Sequence, residues 1–124
     1  MLYSPNYPQL YPNNHDSTQT IKVAEGKTIW MQFINFNTER EYDFVTITDD
    51  DGTDLTDQLR DRSYREDHTG QIIRDEGETR LSGKYKDETK NANIQSNIVH
   101  VHFHTDGNTQ RSGWRLEWEA VVGW

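Results

Sequence analysis

Hydrophobic and polar positions alternate in short runs along this chain. "TQTIKVA" (18–24) alternates, and "EGK" (25–27) supplies a turn after it. "TIWMQFINF" (28–36) places Ile29, Met31 and Phe33 on one face. "YDFVTIT" (42–48) is rich in aromatic and β-branched residues. "NIVHVHFHT" (97–105) alternates strictly, with Val99, Val101 and Phe103 on one side. "GWRLEWEAVV" (113–122) aligns Trp114, Leu116 and Trp118. A period of two in runs of this length predicts strands buried on one face. No long amphipathic helix is predicted. Short strands parted by polar turns predict an all-β fold, an antiparallel β-sandwich.

Two stretches break the rhythm. All three prolines, Pro5, Pro8 and Pro12, fall in "SPNYPQLYP" (4–12), with Tyr7 and Tyr11 between them. Proline fixes φ and pushes the preceding residue towards extended backbone, so residues 4–16 are expected to be ordered extended chain and turn. Residues 49–80 carry eleven acids and five arginines. Their plain reading is a solvated excursion. Within it, 55–64 has room for one or two helical turns, and 71–83 for a hairpin turning at Glu76-Gly77.

Composition narrows the function. A chain of 124 residues is read as one domain. Its 31% hydrophobic content and mean hydropathy of −1.05 leave a thin core. The 11% aromatic content compensates, because each ring buries a large area. A net charge of −8 argues against a nucleic-acid partner and suits a bound cation or cationic protein. Cysteine is absent, which excludes disulfides, cysteine zinc sites and thiol catalysis. No apolar run is long enough to span a membrane, and no signal-like apolar segment follows Met1. The chain is expected to be a domain of a longer protein. No N-x-[ST] sequon, G-x-S-x-G, glycine-rich phosphate loop or H-E-x-x-H occurs.

Taken in order, "SPNYPQLYPNN", "AEGKTIWMQFINF", "FNTE", "YDFVTI", "SNIVHVHFHTD" and "SGWRLEWEAV" resemble a CUB domain over about residues 3–50 and 81–122. The opening is closest to CUB modules of complement-type proteases. The resemblance implies a jelly-roll β-sandwich spanning 1–124, with a charged insertion at about 53–80. It implies a non-catalytic binding module of a larger extracellular or secreted protein. Ser17 stands where the family has its first cysteine and Gln19 where an aromatic often follows; the cysteine expected before "YD" is lost with about four missing residues, and Lys86, after "GKY", holds the position of its partner. Losing a disulfide costs ~2–5 kcal/mol. Trp30, Trp114, Trp118 and Trp124 are the residues expected to offset it.

The resemblance also implies one Ca²⁺ between loops at one end of the sandwich. Its ligands map to Glu39 in "FNTE", Asp43 in "YDF" and Asp106 in "HTD", with Asn108 of "DGNTQ" offering a carbonyl or side-chain oxygen. Glu41 stands nearby as a substitute. Ca²⁺ takes six to eight oxygens, and converging carboxylates are costly without a cation. Tyr11 matches the tyrosine that braces these acids through its hydroxyl, and the prolines stiffen its segment. Tyr7 is expected to cap the sandwich edge. A lysine or arginine of a protein partner is then the implied ligand.

Three further groups offer chemistry. Alternation puts His100, His102 and His104 on one strand face, as a solvated surface or as an alternative zinc site completed by another ligand. Exposed tryptophans such as Trp30 or Trp124 would suit a carbohydrate-binding sandwich. "DDDGTD" (49–54) has the look of a calcium loop but lacks the twelfth-position Glu and flanking helices of an EF-hand. His15 and His68 lie in polar loops.

Overall fold

The computed structural model describes residues 1–39, 42–59, 65–66, 72–73, 80–85 and 91–122. Nine strands and one 3₁₀ turn occur among them: β1 Leu2–Tyr3, β2 Asp16–Lys22, β3 Lys27–Asn37, β4 Phe44–Asp49, the turn Thr56–Gln58, β5 Arg65–Glu66, β6 Ile72–Ile73, β7 Ala92–Ile94, β8 Ile98–His104 and β9 Gly113–Val122. One sheet has the order β1-β9-β3-β7 and the other β2-β8-β4; β5 and β6 pair as a small ribbon. Every strand pair is antiparallel. No helix among the described residues is long and apolar enough to cross a membrane.

The inward faces are those that alternation selected. Ile29, Met31 and Phe33 of β3 pack with Val99, Val101 and Phe103 of β8 and with Trp114 and Leu116 of β9. Trp118 sits partly buried at the margin. Near its end β3 changes phase. Phe33 pairs with Leu116 and Asn35 with Arg115, so a bulge absorbs one extra residue. Phe36 is thereby turned inward, only three residues after Phe33. Ile34 and Asn35 share the opposite side, which strict alternation would not allow.

Edge-to-face aromatic contacts, with Trp114 at their centre, stand in the core of a chain that has no disulfides. Trp114 is fully buried and meets Phe33 and Phe103 edge-on at 5.5 and 5.7 Å. Phe33 meets Phe36, Phe36 meets Tyr85, and Tyr11 meets Phe103 in the same manner at 5.1–5.3 Å. Each edge-to-face pair contributes about 0.5–1.5 kcal/mol beyond its area. Five such pairs are of the size of one lost disulfide, ~2–5 kcal/mol. Ser17, at the family's cysteine position, instead shares a hydrogen bond with His15 Nε2 at 2.6 Å. Lys86 and Trp124 lie outside the described residues.

Close approach fixes one glycine. Gly113 has φ +85°, and a Cβ there would stand 1.9 Å from Ser4 Oγ. That same Ser4 oxygen accepts the Trp114 N–H at 2.9 Å, while the Ser4 N–H donates to the Trp114 carbonyl at 3.0 Å. The start of the chain is so locked to the start of β9.

The proline segment is a chain of turns. Tyr7 N–H bonds the Ser4 carbonyl at 3.2 Å and Gln9 N–H the Asn6 carbonyl at 2.7 Å. The Tyr7-Pro8 peptide is cis. In the charged excursion the helical expectation reduces to Thr56–Gln58. Asp54 Oδ1 accepts the Thr56 N–H at 2.9 Å, and the Thr56 hydroxyl oxygen accepts the Ile47 N–H at 2.8 Å. Ile72–Ile73 pair backwards with Arg65–Glu66, while Leu81 bridges to Val45. Glu76, Gly77 and His68 fall outside the described residues.

Candidate metal centre

The acids come together because of where the strands end. β3 leaves one sheet at Asn37 and the chain enters β4 of the other sheet at Phe44. Phe44 pairs with His104, so Asp43 lies beside the residues that follow β8. Glu39 comes from the crossing, Asp43 from its end and Asp106 from the loop after β8. One oxygen from each lies within 4.8 Å of the other two. Glu41 is outside the described residues.

Asp43 is the hub and is fully buried. Its Oδ1 accepts the Asp106 N–H at 2.9 Å, and its Oδ2 accepts the Tyr11 hydroxyl. Tyr11 is also fully buried, and its phenol oxygen accepts the Glu39 N–H at 3.0 Å. A single hydroxyl therefore holds two of the three acidic positions. Burial pushes the phenol far above its ordinary pKa, with the Asp43 hydrogen bond adding to the rise. The proton stays on Tyr11, and the oxygen remains a donor to Asp43.

Burial also raises the Asp43 carboxyl above the usual carboxylate range. The Tyr11 hydroxyl and the Asp106 N–H pull it back down, and the Asp106 charge adds to the rise. Glu39 is raised by burial as well; the nearby Thr109 hydroxyl lowers it, and the Asp106 and Asp43 charges add to the rise. Glu39 Oε1 is buried with no hydrogen-bond partner. A buried, unpartnered carboxylate oxygen beside two more carboxylates is costly unless a cation sits with it. The donor set is all oxygen, the set that Ca²⁺ prefers.

Asn108 belongs to the same loop. Its N–H donates to Asp106 Oδ1 at 3.3 Å, and its Oδ1 accepts the Thr109 hydroxyl at 2.7 Å. Thr109 holds φ 61°, which turns the loop sharply. Sequence reasoning overlooked the residues that frame the crossing. The buried Thr38 hydroxyl donates to the Asp43 carbonyl at 3.1 Å and accepts the Gly83 N–H at 3.0 Å. Ser82 donates to the Glu39 carbonyl at 3.3 Å. Thr105 donates to the Pro12 carbonyl at 2.9 Å and accepts the His15 N–H at 2.7 Å. Hydroxyl residues beside the ligand positions were the available signal.

The histidine strand lies on the outer face of the other sheet. Asp16, paired opposite His104, takes His102 Nε2 at 2.5 Å and His104 Nδ1 at 3.1 Å. These hydrogen bonds hold the Asp16 carboxyl below its ordinary range. His100 bonds Thr20 Oγ1 at 2.9 Å and Asp50 Oδ1 at 3.3 Å. Among the described residues the histidines do not form a group of three ligand atoms within 4.8 Å. In "DDDGTD", Asp49 Oδ1 accepts the Asp51 and Thr53 N–H groups, each at 2.9 Å, which closes the turn.

The CUB domain family model matches residues 1–118. The chain belongs to the CUB domain family. CUB domains are binding modules rather than catalytic ones. Mouse mannan-binding lectin serine protease 1 is 34% identical over 76 residues, 58% of this chain and 11% of that protein. Zinc metalloproteinase nas-39 of Caenorhabditis elegans is 25% identical over 120 residues, 94% of this chain and 11% of that protein. The chain thus spans about a tenth of the length of these relatives. The crystal structure of the MASP-1 CUB2 domain bound to Ca²⁺ superposes with a TM-score of 0.66 at 21% identity, over 95% of this chain and 88% of that one. The full extracellular region of zebrafish Gpr126/Adgrg6 gives 0.70 at 20%, over 98% and 13%. At these identities the structural likeness shows the fold.

Proposed function

We propose that this CUB domain is a Ca²⁺-dependent binding module that takes a lysine or arginine side chain from a protein partner. The observation that supports it best is the unpartnered, buried Glu39 Oε1 within the Glu39, Asp43 and Asp106 group. Glu39, Asp43 and Asp106 would hold the ion, with Asn108 beside them and Tyr11 bracing from below. Bound Ca²⁺ neutralises the mutual repulsion of the carboxylates and stiffens the loops that carry them. Asp43 is fully covered, so a basic side chain would meet the half-buried Glu39 and Asp106. The net charge of −8 favours the approach of a cationic partner. The same reading makes the chain an extracellular or secreted module of a larger protein, in keeping with the Ca²⁺-bound MASP-1 CUB2 neighbour.

Isothermal titration calorimetry with Ca²⁺ tests the ion, and binding to immobilised poly-lysine with and without EDTA tests the basic ligand. One Ca²⁺ per chain and EDTA-sensitive retention are expected. Absence of heat at millimolar Ca²⁺ removes the site. Heat without retention removes the basic-ligand half alone.

A further inference from the structure

The bulge in β3 forms part of the floor of a second site. Beside it lies a cleft of about 830 Å³, within the usual range for small-ligand sites. Gln32, Ile34, Asn35 and Asn37 of β3 line it, with Tyr7 and Lys84 among the residues around them. Asn35 and Asn37 join Gln32 and Ile34 on the cleft side only because the bulge shifts the phase of the strand. Bulges of this kind re-aim side chains beside binding sites.

We infer that this cleft binds a short neutral oligosaccharide. Gln32, Asn35 and Asn37 line it with carboxamides, groups that combine donors with an acceptor as adjacent hydroxyls require, and Asn35 gives one of its donors to Tyr7. Tyr7 supplies a ring for the apolar face of a sugar. That ring is pre-positioned: Asn35 Nδ2 donates to its phenol oxygen at 2.7 Å, and the Tyr3 ring stands 5.7 Å away. Fixing an aromatic wall before binding lowers the ordering cost.

Other ligand classes fit less well. Among the described residues β9 pairs β3 from Lys27 to Asn37 on one side, while β7 at Ile29–Met31 and the Asn37–Lys84 bridge take both ends of the other, so at most a short stretch of edge is left for an extended peptide to join. Polar side chains make up half of the described lining, and an apolar ligand would leave them unpaired. Among the described residues Lys84 is the one charged side chain lining the cleft, and the net charge of −8 repels sulfated or other polyanionic sugars. The site also gives the first tyrosine of "SPNYPQLYP" a use distinct from that of Tyr11.

A glycan array of neutral and acidic oligosaccharides, probed with the whole chain in millimolar Ca²⁺, tests the inference. The strongest neutral binder is then titrated into ¹⁵N-labelled wild-type protein. Side-chain amide resonances of Gln32, Asn35 and Asn37 are expected to shift. Tyr7→Ala is expected to weaken binding at least about tenfold, and Thr18→Ala on the other sheet to leave it unchanged. The wild-type titration needs no variant to fold. Binding of acidic glycans alone, shifts confined to another face, displacement of the glycan from the cleft by an extended peptide library, or no glycan binding overturns it.

Discussion

The Asp106 backbone N–H donates to Asp43 Oδ1 at 2.9 Å, while the Asp106 side chain lies in the acidic group itself. Main chain and side chain of one residue thus have separate tasks. The first holds the buried Asp43 in place and the second offers oxygen to a cation.

Asp106→Ala therefore removes the carboxylate and keeps the brace. Its ion-free melting temperature is expected to stay close to that of wild type. Excess Ca²⁺ should stabilise wild type by about 2.7 kcal/mol at a hundredfold excess over Kd, and the variant not at all. Differential scanning calorimetry in EDTA and in millimolar Ca²⁺ reads both. A wild type that gains nothing from Ca²⁺ defeats the expectation.

Glu39 ties that site to pH. Its folded-state pKa is raised by burial and by the Asp106 and Asp43 charges. A raised carboxyl binds protons more tightly when folded, so ion-free stability falls as pH rises from the unfolded value of about 4.3 through the folded one. Asp43 works in the same direction, and Asp16, whose pKa is lowered, works against both. The clean readout is a difference. In EDTA, Glu39→Gln should be more stable than wild type near pH 7, with the gain shrinking as pH falls. In saturating Ca²⁺ the order should invert. A Glu39→Gln difference flat with pH in EDTA would contradict the burial of this charge.

Much of this architecture could be read from alternation. Val99, Val101 and Phe103 face inward and His100, His102 and His104 outward, because a strand with one apolar side has only one way to lie. β1 and β7 were missed, since two or three residues carry no period. The bulge was legible in principle from Phe33 and Phe36, three apart where alternation demands an even step. The acids were legible only through motif order, because 21 acidic residues offer no periodicity that singles out three. The shared hydroxyl of Tyr11 and the Asp16–His102–His104 contacts depend on strand register, which no single segment encodes.

Gly113→Ala tests the lock between the two ends of the fold. The φ of +85° alone costs an L-residue about 1–2 kcal/mol, and the Ser4 hydroxyl leaves no room for the new methyl. Melting should fall by more than that backbone term predicts. Adding Ser4→Gly should recover part of the loss and no more, because the Trp114 N–H then loses its acceptor. Full recovery would mean that the Ser4 bond contributes nothing.

Tyr11→Phe asks whether the hydroxyl serves the ion or only the fold. The ring and its edge-on contact with Phe103 at 5.1 Å remain. Two hydrogen bonds disappear: one donated to Asp43, one accepted from the Glu39 N–H. Each lost bond is worth about 0.5–3 kcal/mol, the charged acceptor at the upper end. Ion-free stability should therefore drop measurably, more than removing a surface hydroxyl would cause. Ca²⁺ affinity should fall as well, by about tenfold, because Asp43 and Glu39 both lose a positioning contact. Tyr7→Phe is the comparison. Its hydroxyl accepts from Asn35 away from the acids, so Ca²⁺ affinity should not change. Calorimetric titration of both variants separates the cases. Equal losses at the two positions, or none at either, would reduce Tyr11 to a packing residue.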